Sequence, residues 1–380
     1  MTDTRLPVPA PPALAPLAPV PPASASAPAP LAPSPLPPAW TRPEDLVAAG
    51  LAAPGDTADL AEIAAAFRIR VPPALQQAMT APDDPIGRQV IPTRDELEIG
   101  PAALHDPIGD RTHAPVAGLT HRYPDRVILH LTQTCAVYCR FCFRRETVGA
   151  TGHLPEDDLA AALAYVARTP AIREVILTGG DPMVLSARRI ADVAARVAAI
   201  GHVDGLRLHT RIPVVAPERI DAAMIAALNR HPAPRIVLHT NHAQELTAAA
   251  RAAIARLVDA GIPMLSQSVL LRGINDDAAT LDALFRALSR LRVMPYYLHH
   301  CDLARGAEHF RTTIAEGRAL VAALRGRIPG HMLPAYVLDI PGGFGKVPLT
   351  ADHVAPDGPG HWRVTDTAGR VHAYADPERG

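Results

Sequence analysis

Residues 130–149 read His-Leu-Thr-Gln-Thr-Cys-Ala-Val-Tyr-Cys-Arg-Phe-Cys-Phe-Arg-Arg-Glu-Thr-Val-Gly and bring together three of the chain's four cysteines, Cys135, Cys139 and Cys142, in the spacing C-x3-C-x2-C. The run 126–132 leads straight into them and reads as a strand, so the cysteines are expected on the loop that leaves it. Three thiolates this close can wrap one face of an iron–sulfur cubane and hold three of its irons, whereas electron-transfer clusters are closed by four. The fourth iron is then open to a small-molecule ligand. Other uses fit less well. Structural zinc takes four ligands, commonly in paired knuckles, and there is no second knuckle. A disulfide framework needs an oxidising compartment and usually an even set of cysteines. Buried apolar thiols are the remaining bland alternative.

The rest of the chain supplies the frame. From 126 to about 345, strand-like runs at 126–132, 174–178, 206–211, 235–240, 264–271, 295–300 and 336–340 alternate with amphipathic segments at 156–168, 187–199, 217–229, 247–260, 277–291 and 314–325. Such alternation implies a parallel sheet with right-handed crossovers. Six units rather than eight predict an α/β fold of the incomplete (β/α)6, TIM-like kind, with functional residues on the loops that follow the strands. The expected division is a disordered Pro/Ala-rich arm over 1–40, a mainly helical region over 41–110, the partial barrel over 111–349 and a hairpin-like tail over 350–380. The arm has no basic start ahead of a clean apolar core, so it does not read as a signal peptide. A net charge of −1 gives no general attraction to nucleic acid or anionic lipid, and no apolar run is long enough to span a bilayer. A cytoplasmic location is expected.

Several candidate residues fall at strand ends. Gly179-Gly180-Asp181 follows the second run. Paired glycines allow close backbone approach, and an acid beside them can accept hydrogen bonds from an amine. His239 and Gln267 lie within later runs and could reach a ligand, although each could equally be a satisfied polar residue. Composition adds a further pointer: of 37 basic residues, all are arginine except Lys346. A guanidinium cannot lose its proton and attack a carbonyl, but an amine can, so Lys346 is the candidate for a Schiff base to an aldehyde cofactor. It ends a glycine-rich run, Asp339-Ile-Pro-Gly-Gly-Phe-Gly-Lys346, which is not a nucleotide P-loop because Val347 stands where Ser or Thr would follow. If the aldehyde carries a phosphate, Arg122, Tyr123 and Arg126 offer two guanidinium forks and a phenol. Arg144 and Arg145 could hold a substrate carboxylate, and Asp302 and Asp339 a distal ammonium.

Together these motifs resemble the lysine 2,3-aminomutase family of radical SAM, pyridoxal phosphate-dependent enzymes. The resemblance covers roughly 81–350. It rests on His121–Arg126, the cysteine run with Phe-Arg-Arg behind it, Gly179-Gly-Asp, Gln267-Ser-Val-Leu-Leu-Arg-Gly-Ile-Asn-Asp, Tyr296-Tyr-Leu-His-His-Cys-Asp-Leu and the loop ending in Lys346. It implies a [4Fe–4S] cluster on Cys135, Cys139 and Cys142, and S-adenosylmethionine near Gly179, Gly180, Asp181, His239 and Gln267. Pyridoxal 5′-phosphate would sit on Lys346, Arg122, Tyr123 and Arg126. L-lysine would be held by Arg144, Asp302 and Asp339. The activity implied is interconversion of L-lysine and β-lysine, in a homo-oligomer served by an electron donor such as flavodoxin or ferredoxin. Two other readings stand beside it: the branch that supplies β-lysine to elongation factor P, and a non-catalytic iron–sulfur protein. The tail has no cysteine, and Asp277 stands where some family members carry one, so the structural zinc of some relatives is expected to be absent.

Overall fold

A computed structural model describes residues 37–350, 353–359, 361–366 and 369–376. Most of the Pro/Ala-rich arm, 1–36, lies outside the described residues.

The framework is a nine-stranded sheet whose strand order follows the chain. β1 (Leu119–Tyr123) pairs antiparallel with β2 (Arg126–Thr132). From β2 the pairing is parallel through β3 (Glu174–Gly179), β4 (Gly205–Thr210), β5 (Pro234–His239), β6 (Met264–Leu270), β7 (Val293–His300) and β8 (Ala335–Asp339). β9 (Lys346–Pro348) returns antiparallel along β8. One principal helix lies in each crossover: Glu156–Ala167, Ala187–Ala198, Ala222–Leu228, Ala248–Asp259, Ala278–Arg290 and Ile314–Leu324. Among the described residues the two edges of the sheet do not pair, so the barrel is open and has the six crossovers that the pattern predicts.

Local chemistry explains the elements. In β2, Val127, Leu129 and Leu131 are buried under the helices. Arg126 and Ile128, on the other face, line the barrel interior. The helix Ala187–Ala198 starts where Ser186 accepts the Arg189 amide at 3.3 Å, and it buries Ile190, Val193, Ala194 and Val197 at helical spacing. Asp277 caps Ala278–Arg290 by accepting the Ala279 and Thr280 amides, each at 2.9 Å. The expected helix over 217–229 is broken. Pro217–Arg219 forms a separate 3₁₀ turn, and the chain restarts at Asp221, whose carboxylate accepts the Met224 amide at 2.7 Å. Asp at that position is a stronger start signal than the proline upstream.

The short helices Pro43–Ala48, Thr57–Ala66 and Pro73–Ala78 precede the barrel. Leu46, Val71, Leu75 and Ile86 of this segment belong to the same hydrophobic core as the strands. Burying each such side chain stabilises the fold by about 1.5–3 kcal/mol. In the tail, β10 (Val354–Pro356), β11 (His361–Thr365) and β12 (Val371–Ala375) form a small antiparallel sheet. Among the described residues no helix is long and apolar enough to cross a membrane.

Candidate active site

The cysteine loop leaves β2 and docks against the end of β3. The Gly180 amide donates to Thr132 O at 2.6 Å and the Asp181 amide to Thr134 O at 3.0 Å. A Cβ on Gly180 would lie 2.3 Å from Thr134 O, and Gly179 sits at φ 106° with a Cβ position 2.7 Å from Thr132 O. The close approach these glycines allow is therefore to the cysteine loop itself, while both also line the cavity beside the sulfurs. The Asp181 side chain is also already engaged. Its oxygens accept from the Met183 amide at 3.0 Å, from Thr210 Oγ1 at 2.8 and 3.0 Å, and from the Arg211 amide at 2.8 Å. Two amides and one hydroxyl of the fold thus hold this carboxylate as a clamp and occupy three of its roughly four acceptor positions.

The three sulfurs line one cavity of about 880 Å³ together with Gly179, Gly180, Thr210, Arg211, Asn241 and Gln267. Burial, then the neighbouring Cys139, pushes the Cys142 thiol up to about 11; burial, then Asp181, raises Cys135. Thiols so crowded keep their protons until a cation arrives, and iron is such a cation. Among the described residues no three His, Cys, Asp or Glu side chains converge on a single ion. A cubane does not require convergence, because each thiolate takes its own iron. At the same cavity, His209 Nε2 and Arg211 Nε are buried without hydrogen-bond partners. They leave donors and acceptors for a polar small molecule beside the sulfurs.

The loop is anchored from outside the barrel. Glu96, fully buried, receives hydrogen bonds from both Arg140 and Arg145, whose residues flank Cys142. Arg145 also stacks on Phe67, 3.7 Å from the ring centroid. It is thus unavailable to a substrate carboxylate, contrary to expectation; the site's chemistry passes to Arg144.

A second cavity, about 1230 Å³, adjoins the first and shares Arg144, Thr178, His209, His239, Gln267 and Asp302 with it. Ligands placed in the two cavities would meet at this shared wall. The register of the sheet sets the shared wall: His239 pairs with Gln267, and Gln267 with Tyr297. His239 Nε2 meets His209 Nδ1 at 3.2 Å, and burial lowers the His239 pKa to about 3, so this pair is neutral.

Lys346 opens onto this second cavity. Its Nζ donates to Asp339 Oδ1 at 2.5 Å, and its amide donates to the Tyr123 hydroxyl at 2.9 Å. Asp339 also accepts from His299 Nδ1 at 3.0 Å. Burial opposes its ionisation, but the His299 hydrogen bond and the Lys346 charge outweigh this and hold its carboxyl well below the usual range. Arg122 lies 3.7 Å from Asp110 and 3.8 Å from Asp339, and its Nε and Nη1 are buried without hydrogen-bond partners. Such orphaned donors suit an anion. Arg126 stacks over Tyr123, 3.9 Å from the centroid. Arg144 Nε donates to Asp110 at 2.6 Å and its guanidinium lies over the Phe143 ring, 4.5 Å from the centroid; its terminal nitrogens make no hydrogen bond among the described residues, which leaves them for a carboxylate. Asp302 makes no side-chain hydrogen bond among the described residues; burial, then the charge of Asp339, raises its pKa to about 7.

The structure thus brings Arg122, Tyr123, Arg126, Arg144, His239, Gln267, Asp302, Asp339 and Lys346 to one cavity, and the cysteines with Gly179, Gly180 and Asp181 to the adjoining one. Sequence reading missed Asp110, Arg207, Tyr297, His299 and Arg211. Arg207, Tyr297 and His299 had a signal, since each holds an inward position in a strand of period two. Asp110 sits in a loop and had none.

Residues 129–284 match the family model described as the radical SAM superfamily. The chain is 40% identical over 295 residues to the L-lysine 2,3-aminomutase of Fusobacterium nucleatum, covering 77% of this chain and 69% of the relative. It is 39% identical over 297 residues to that of Clostridium subterminale, covering 78% and 71%. A glutamate 2,3-aminomutase of Clostridioides difficile is 33% identical over 318 residues, covering 83% and 75%.

Proposed function

The chain belongs to the lysine 2,3-aminomutase family of radical SAM proteins, and from that premise we propose that it interconverts L-lysine and β-lysine by moving the α-nitrogen to the neighbouring carbon. The observation that carries the choice of substrate is the pair of acids, Asp302 and Asp339, in the cavity that also holds Lys346 and Arg122, whose Nε and Nη1 make no hydrogen bond. Two carboxylates there attract a distal ammonium and repel a distal carboxylate, which sets this site apart from one built for glutamate.

Cys135, Cys139 and Cys142 would hold the cluster, and the Gly179–Gly180 backbone, His239 and Gln267 would border S-adenosylmethionine. Lys346, with Arg122, Tyr123 and Arg126, would hold pyridoxal phosphate. When bound, these groups supply a carbon radical and an aldehyde that carries the migrating nitrogen. The chain's own residues do the positioning. Arg144, fixed by Asp110, orients the substrate carboxylate. Asp302 meets the distal ammonium directly, while Asp339 must exchange Lys346 for it. His299, kept neutral chiefly by burial, steadies Asp339 through that exchange. The electron enters from a small redox protein of the flavodoxin or ferredoxin kind. Such a cluster and a free, buried Cys301 suit the reducing cytoplasm.

The test is anaerobic. Protein reconstituted with iron, sulfide and pyridoxal phosphate is given S-adenosylmethionine, dithionite and L-lysine, and amino-acid chromatography follows the product. The expected result is a β-lysine peak that is lost, together with the aldehyde's absorbance band, in Lys346→Arg. Cleavage of S-adenosylmethionine with no β-lysine would sink the substrate assignment and leave the radical chemistry standing.

A further inference from the structure

Arg211 follows β4 directly and is buried, with 7% of its surface exposed. Its Nη1 donates to Cys139 Sγ at 2.8 Å. Its Nη2 donates to Glu245 Oε2 at 2.5 Å and to Gln89 Oε1 at 3.1 Å. Glu245 is fully buried, and its other oxygen accepts from the Asn241 and His242 amides at 2.8 and 2.9 Å and from Gln89 Nε2 at 3.2 Å. The Arg211 amide is tied to Asp181. The guanidinium is therefore clamped on one side and aimed at a cysteine sulfur on the other. Among the described residues it is the one charged side chain that hydrogen-bonds any of the three sulfurs.

We propose that Arg211 sets the reduction potential of the cluster, its guanidinium on Cys139 favouring the reduced over the oxidised state. The inference rests on the reading that Cys135, Cys139 and Cys142 hold a four-iron cluster. Reduction adds one electron, delivered by an external one-electron donor, and makes the cluster and its ligand sulfurs more negative. A fixed cation donating a charge-assisted hydrogen bond to one of those sulfurs is worth more after that electron arrives than before it. Glu245 offsets part of the cation's field, so the Arg211–Glu245 pair sets the level from both sides. The low dielectric of the buried site makes both contributions larger than they would be in water.

A residue that merely propped the loop would not shift the potential in opposite directions when its two charges are removed separately. The experiment is a spectroelectrochemical titration of the reconstituted holoprotein without S-adenosylmethionine or pyridoxal phosphate, reading the paramagnetic signal of the reduced cluster. Arg211→Gln removes the cation, and its potential is expected to become more negative. Glu245→Gln removes the offsetting anion and leaves Arg211, and its potential is expected to become less negative. Each shift should change the reduced-to-oxidised ratio at a fixed potential about tenfold, roughly 59 mV for one electron. Potentials unchanged in both variants, or shifted the same way in both, would overturn the role of Arg211 while the cluster reading stands. Wild-type protein that takes up no four-iron cluster would overturn both. Where Arg211→Gln fails to load iron, Glu245→Gln decides alone: a less negative potential supports the role, and an unmoved one overturns it.

Discussion

The two adjoining cavities share a wall and differ in how their charges are settled. Around the cysteine loop, buried charges are matched within the protein: Glu96 by Arg140 and Arg145, Glu245 by Arg211, Asp181 by two amides and a hydroxyl. Around Lys346 the matching is partial: Arg122 and Arg207 keep buried donors without partners, His299 Nε2 is idle, and Asp302 is unpaired. One half is closed and clamped and the other is preorganised for something that arrives. A cluster needs ligands that do not move, whereas a cavity through which substrate passes needs charges that can be taken up and released.

Breaking the clamp should have the largest effect. Glu96→Ala leaves two buried guanidinium groups facing each other with no counter-charge. Removing one partner from a buried ion pair costs about 3–5 kcal/mol, and here two cations lose theirs. The expected outcome is a marked fall in melting temperature and poor iron loading, read by calorimetry and by iron and sulfide content. A variant with wild-type stability and iron content would show that the clamp is dispensable.

The same contrast explains what the sequence disclosed. The seven parallel strands and their crossovers were legible because each strand is a short, largely buried apolar run and each crossover helix buries one stripe, both local patterns. The cysteine run and the lone lysine were legible because their residue types are chemically irreplaceable. The clamp was not legible. Glu96 meets Arg140 across 44 residues, Asp110 meets Arg144 across 34, and Gln89 meets Arg211 across 122. No local periodicity encodes a pairing between distant loops, so Arg145 read as a ligand for substrate and Arg211 did not read at all. Asp181 is the instructive intermediate. Its position before Pro182 is a cap signature, as the 3.0 Å bond from the Met183 amide shows, yet its place after two glycines pointed to a ligand.

On the open side the effects should be moderate and dependent on pH. Asp302, raised to about 7, is protonated in the free protein below that pH and has to release a proton before it can pair with an ammonium. Apparent affinity for lysine should therefore rise with pH up to about 7 and then level off, with KM about tenfold higher for each unit below. Asp302→Asn should flatten that limb and raise KM about tenfold or more at neutral pH, since a charge-assisted hydrogen bond contributes about 1.5–3 kcal/mol. Initial rates against lysine concentration at several pH values measure both. An unchanged KM with an unchanged pH limb would remove Asp302 from the distal-ammonium site.

The smallest effect sharpens the boundary between the two halves. Thr210→Val is nearly isosteric and removes the hydroxyl that Asp181 accepts from and that receives the Ile212 amide at 2.9 Å. If Asp181 is a clamp, the loss is that of two buried hydrogen bonds, each about 1–3 kcal/mol, seen as a drop in melting temperature. Binding of S-adenosylmethionine, measured by equilibrium dialysis with the reconstituted protein, should be unchanged within about twofold. If Asp181 instead bound the amine of that ligand, freeing its oxygens from Thr210 would strengthen binding. Stability falls under both readings, and the affinity separates them: unchanged if Asp181 is a clamp, raised if it holds the amine.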